Sequence, residues 1–74
     1  MLLCERLAEL KSSKQLMQKE IAQGAGVPLR TYQRYENGER EPSASTLSAL
    51  ADFFGVSTDY LLGRTDTPQM AKGA

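Results

Sequence analysis

The sequence predicts an all-α domain, a compact bundle of five short helices. Three observations support this. Apolar residues recur at helical spacing in successive short windows. Each window is closed by glycine or by a polar break, and no stretch shows the strict alternation of a strand. The chain has 74 residues, which suits one domain with a modest core.

Leu3, Leu7 and Leu10 stand at i, i+4 and i+7, with Glu5, Arg6, Glu9 and Lys11 assigned to the other faces. This spacing predicts a first amphipathic helix over residues 2–13, ended by Ser12-Ser13-Lys14 and Gln15. A second helix is expected over residues 18–24, with Ile21, Ala22 and Ala25 inward and Gly24 and Gly26 bracketing its end. Pro28 suits a helix start, because its missing N–H has no intrahelical partner there. The third helix should therefore run over residues 28–37 and stop at Asn37-Gly38. Within it Tyr32 and Tyr35 lie three apart and face the core with Val27. Ser43 caps a fourth helix carrying Leu47, Leu50, Ala51 and Phe54 at i, i+3, i+4 and i+7. Gly55-Val56 breaks it. Ser57 then caps a short fifth helix, with Asp59 in its first turn and apolar surface from Tyr60, Leu61 and Leu62. Residues 1–63 form the expected domain, and residues 64–74, small and polar, form a flexible C-terminal tail with no room for a second domain.

Composition excludes several classes. No apolar run approaches the roughly 20 residues needed to span a bilayer. The N-terminal MLLCERL meets charge too early for a signal peptide. A lone Cys4 cannot close an intramolecular disulfide and reads as a small apolar residue. With no histidine in the chain, a metal constellation, a cofactor site and acid–base catalysis all lack their usual groups. A non-enzymatic, metal-free cytoplasmic protein is expected. Formal net charge is zero, yet residues 1–40 hold seven Lys/Arg against five acids, and residues 41–74 hold two against four. The basic excess lies in the first half.

A glycine-containing corner between two helices is common in small helical domains and specifies little taken singly. Here it is flanked by "ERLAELKSSKQLMQKEIA", "GVPLRTYQRYENGEREPS" and "LSALADFFGVSTDYLLG". On these segments, which cover residues 3–63, the chain resembles the Cro/C1-type helix-turn-helix family of phage repressors and bacterial regulators, whose domains are lambda-repressor-like.

The resemblance implies a transcriptional regulator, a repressor where its operator overlaps a promoter, whose third helix lies in the major groove of double-stranded DNA. By position, Leu29, Arg30 and Arg34 would face the bases, the two arginines at i, i+4 able to donate paired hydrogen bonds to guanine. Phosphate contacts would come from Gln18, Thr31, Gln33, Asn37 and Arg40, with backbone amides at the start of the second helix. Lys11 and Glu36 would form an ion pair holding the first helix against the third. A homodimer on a palindromic operator is expected, with Phe54, Val56, Tyr60 and Leu61 as its apolar surface. Departures from the family pattern are Met17 where a Thr or Ser cap usually stands, Pro28 in place of a hydroxyl, and Glu39 and Glu41 beside the ENG turn. These acids imply modest non-specific affinity and a shallow salt slope. They also keep open a second class of function, a protein-interaction module such as an antitoxin or anti-repressor partner.

Overall fold

The computed structural model describes residues 2–67 of the chain. Five helices follow in order: α1 Leu3–Ser13, α2 Gln18–Ala25, α3 Leu29–Glu36, α4 Ala44–Phe54 and α5 Thr58–Leu61. No strand occurs among the described residues. Helix α2 packs on α3 and α4, α1 packs on α3 and α5, and α4 on α5. The apolar stripes meet in one core of Leu7, Leu10, Ile21, Ala22, Tyr32, Tyr35, Leu50, Ala51, Phe54, Val56 and Leu61. Among the described residues no helix is long and apolar enough to cross a membrane.

The helix ends are closed by chain reversal. After α1, Leu16 N–H donates to Lys11 O at 2.9 Å and Gln15 N–H to Ser12 O at 3.2 Å, with Gln15 at φ 55°. Gln15 is the one non-glycine at positive φ among the described residues, a conformation that costs a side-chain-bearing residue about 1 kcal/mol. Gly38 closes α3 in the same way, at φ 75°, with Glu39 N–H on Arg34 O at 2.9 Å.

Several sequence-based boundaries and orientations shift. Pro28 is not in α3 but precedes it, with ψ at 149°, and its carbonyl accepts the first turn's hydrogen bond from Tyr32 N–H at 3.1 Å. Gly24 does not end α2. It lies inside the helix, where a Cβ would overlap the Phe53 ring of α4. Its role is close approach between helices rather than a left-handed turn, which falls instead to Gly26 at φ 73°. Gly24→Ala gains about 1 kcal/mol of helix propensity but must push Phe53 outward, and overpacking of this kind costs about 1–3 kcal/mol. A net loss of stability in urea denaturation is expected, turning to a gain when Gly24→Ala is made in a Phe53→Ala background. A single variant as stable as wild type would remove the packing role.

Arg6, assigned by the sequence to an outer face, is 5% exposed. Its Nε donates to Tyr60 O at 2.9 Å, Nη1 to Glu9 Oε1 at 3.1 Å and Nη2 to Thr65 O at 3.4 Å. The guanidinium carbon lies 3.8 Å from the centroid of the Tyr60 ring. The spacing did hold a signal, since Arg6 is three after Leu3 and four before Leu10 and so borders the apolar stripe.

The expected dimer surface is corrected by the same packing. Phe54 and Val56 are each 4% exposed and Leu61 is fully buried, all in the core, while Tyr60 is half-buried beneath Arg6. A five-helix domain this small needs these side chains for its own core. Phe53 and Leu62 remain exposed on α4 and just after α5. The expected tail falls partly within the description: Arg64 N–H donates to Asp59 O at 2.9 Å and Thr65 is held by Arg6. Its remainder, residues 68–74, lies outside the described residues.

Candidate nucleic-acid interface

Helix α2 starts without a side-chain cap, because Met17 has no acceptor to offer and stands exposed. Glu20 compensates in part, its Oε1 accepting the Met17 N–H at 2.8 Å. The Glu20 N–H, which a Thr or Ser cap could have taken, donates to Met17 O at 3.0 Å instead.

Helix α3 separates its faces sharply. Tyr32 and Tyr35 are buried and anchor it to the core. On the opposite side Arg30 and Arg34 are exposed, one turn apart, with Leu29 41% exposed at the helix start. Thr31 and Gln33 are half-buried at the flanks, and Asn37 and Arg40 are exposed beyond the C-terminal turn.

Behind this surface runs a hydrogen-bonded chain across three helices. Lys11 Nζ of α1 lies 2.8 Å from Glu36 Oε1 of α3, and the same oxygen accepts from Gln18 Nε2 of α2 at 3.2 Å. Gln33 Nε2 donates in turn to Gln18 Oε1 at 3.1 Å. The Glu36 side chain is only 9% exposed. Burial alone would raise its carboxyl, but the surrounding Lys11, Tyr32 and Gln18 outweigh burial and hold it below the ordinary value of 4.5. Tyr32 OH and Glu36 Oε2 are buried, and neither meets full hydrogen-bond geometry with any group. Burial first, and the adjacent Glu36 second, push the Tyr32 hydroxyl far above its ordinary value of 10.0. Sequence reading named Lys11 with Glu36 but missed that Gln18 and Gln33 join them, since no spacing rule links side chains on different helices.

The zero net charge conceals an uneven distribution. Among the described residues, Arg6, Lys11 and Arg64 pair with acids. Glu5 and Glu20 fold back onto the amides at their own helix starts. Lys14, Lys19, Arg30, Arg34 and Arg40 take part in none of these ion pairs, and all five are exposed. The acids left are Glu39, Glu41 and Asp52, two of them next to Arg40. Five exposed cations outside these ion pairs thus stand against three such acids, and two of the five, Arg30 and Arg34, lie on α3. No group of Cys, Asp and Glu among the described residues is arranged to hold a metal ion.

A family profile described as Helix-turn-helix matches residues 7–61, most of the chain. The chain belongs to the Cro/C1-type helix-turn-helix family of DNA-binding transcriptional regulators. It is 40% identical over 70 residues to the HTH-type transcriptional regulator AnsR of Bacillus subtilis, covering 95% of this chain and 60% of AnsR. It is 36% identical over 62 residues to the cryptic phage CTXphi transcriptional repressor RstR of Vibrio cholerae, covering 84% of this chain and 56% of RstR. The chain thus spans somewhat over half the length of these curated relatives. Among solved structures, the DNA-binding domain of the P22 c2 repressor superposes with a TM-score of 0.83 at 28% identity, covering 96% of this chain and 92% of that one. The P22 c2 repressor in complex with a synthetic operator gives 0.79 at 29% identity, covering 84% and 94%. The fold is that of these repressor domains, and the family is not enzymatic.

Proposed function

We propose that this protein is a sequence-specific regulator, acting in the cytoplasm as a repressor, that inserts α3 into the major groove of its operator. The observation that carries this reading is Arg30 and Arg34. They are exposed one turn apart, free of the ion pairs that occupy Arg6, Lys11 and Arg64, on a helix whose other face is locked into the core. Each arginine reads guanine through O6 and N7, and Leu29 makes apolar contact with a thymine methyl. By the family resemblance, Gln18, Thr31, Gln33, Asn37 and Arg40 lie along the phosphate backbone on either side. The P22 c2 repressor, whose fold this chain shares, has been solved in complex with an operator, which supports duplex DNA as the partner. Two copies related by a two-fold axis place their third helices ~34 Å apart on a palindromic site. Phe53 and Leu62 are the exposed apolar side chains on the α4–α5 side available to such a contact.

Fluorescence anisotropy with the DNA flanking the protein's own gene tests the reading. Saturable binding is expected over a scrambled duplex, and Arg30→Ala and Arg34→Ala should each lower discrimination by about 1–3 kcal/mol. Equal, weak binding to both duplexes, indifferent to either arginine, would sink it. The exposed Leu29 and Met17 and the Glu39–Glu41 pair would then point to a protein partner, as for an antitoxin.

A further inference from the structure

The hydrogen-bonded chain behind α3 has a direction. An ionised carboxylate only accepts, so Glu36 turns the Gln18 amide to present Nε2, at 3.2 Å. That leaves Gln18 Oε1 toward Gln33, and an oxygen there requires a donor, supplied by Gln33 Nε2 at 3.1 Å. Flipping either amide would set oxygen against oxygen or nitrogen against nitrogen. The low proton affinity of Glu36 keeps the carboxylate ionised across the neutral range and the polarity constant. Gln33 is left with Oε1 and its second Nε2 hydrogen unclaimed by these bonds, and its Oε1 is not among the buried unpartnered atoms. It sits four residues after Leu29 and three after Arg30, on the border of the exposed face. An acceptor beside a donor at amide spacing matches N6 and N7 of adenine.

We propose that Gln33 is a base-reading residue specific for adenine, with Gln18 and Glu36 as positioning residues that set which edge of its amide faces the groove. The proposal deepens the reading of α3 as the groove-facing helix and rests on it. It moves Gln33 from the phosphate contacts, where the family resemblance put it, to the bases. A phosphate only accepts, so it would use the free Nε2 hydrogen and leave Oε1 without a donor, whereas adenine satisfies both.

Selection from a random duplex pool, followed by anisotropy on duplexes substituted one base pair at a time, tests it in the whole protein. Wild type is expected to require adenine at one position of each half-site. Gln33→Ala should lose roughly tenfold discrimination at that position while the guanine positions keep theirs. Gln33→Glu, which only accepts, should move the preference there toward cytosine, whose N4 donates. Gln18→Met should flatten the same position, a readout unaffected by any uniform loss of backbone affinity. The proposal is overturned if Gln33→Ala weakens binding to all duplexes equally, as loss of a neutral phosphate contact would. It is equally overturned if discrimination is unchanged in that variant while Arg30→Ala and Arg34→Ala retain their effects. A wild-type protein with no base preference at any position would instead defeat the groove-facing reading of α3, and this proposal with it.

Discussion

Arg6→Ala is expected to lower the unfolding free energy by about 2–3 kcal/mol, a large part of the ~3–5 kcal/mol that the core of a domain this small supplies. The guanidinium is 5% exposed and does several jobs at once. It satisfies the carbonyls of Tyr60 and Thr65, closes a 3.1 Å pair with Glu9, and lies over the Tyr60 ring. Charge-assisted hydrogen bonds and a desolvated cation–π contact each contribute on the order of 1–2 kcal/mol. The exposed acids Glu9 and Asp66 add little, since solvent screens them. Arg6→Lys keeps the charge but cannot reach both carbonyls with a planar fork, so it should fall between alanine and wild type. Urea denaturation followed by circular dichroism measures both. An alanine variant within about 0.5 kcal/mol of wild type would show that α5 is held by its apolar contacts alone.

The second large effect is expected at Lys11 and Glu36, and it depends on pH. Removing the ammonium in Lys11→Met strands a carboxylate that is 9% exposed, a change worth about 2–3 kcal/mol at neutral pH because Lys11 itself remains partly solvated. The Glu36 carboxyl is held below 4.5 in the folded chain, so between the folded and unfolded values the unfolded state binds more protons. Its contribution is therefore complete above pH 4.5 and is lost as pH falls below that, through the lowered folded value. Tyr32 works in the opposite sense. Its hydroxyl is raised in the folded chain, so the stability it contributes is complete below pH 10.0 and falls as pH climbs above it. In Lys11→Met the acid limb should flatten, since the principal group that lowers Glu36 is gone, while the alkaline limb keeps its sign. Stability measured by denaturant titration from about pH 3 to about pH 11 reads both limbs. An acid limb as steep in the variant as in wild type would assign it to other carboxylates.

Helix α3 shows how far the linear pattern reaches. Tyr32 and Tyr35, three apart, are both buried as their spacing requires, and Arg30 and Arg34, four apart, share the outer face. Any helix over these residues would sort them this way, because 3.6 residues per turn depends on the backbone alone. The same holds for the stripes of α1 and α4 and for the Ser43 and Ser57 caps, whose hydroxyls accept from Thr46 N–H and Tyr60 N–H.

Arg6 and Gly24 mark where that reach stops. Both lie in helices whose own periodicity leaves them ambiguous, and each takes its role from a residue far along the chain: Tyr60 and Thr65 for Arg6, Phe53 for Gly24. The burial of Phe54, Val56 and Leu61 was likewise settled by what packs over them, not by their hydropathy, which suits a dimer surface as well as a core. Gln33 belongs with these. Its residue type and its place on α3 follow from the chain, whereas the direction of its amide follows from Gln18 and Glu36 on two different helices. Local order therefore supplied the five helices and the basic face of the third, since helix geometry and capping act over a few residues. Which polar side chains are buried, and which way they point, depended on the assembled domain, because desolvation and hydrogen-bond polarity are set by whatever neighbours tertiary packing brings.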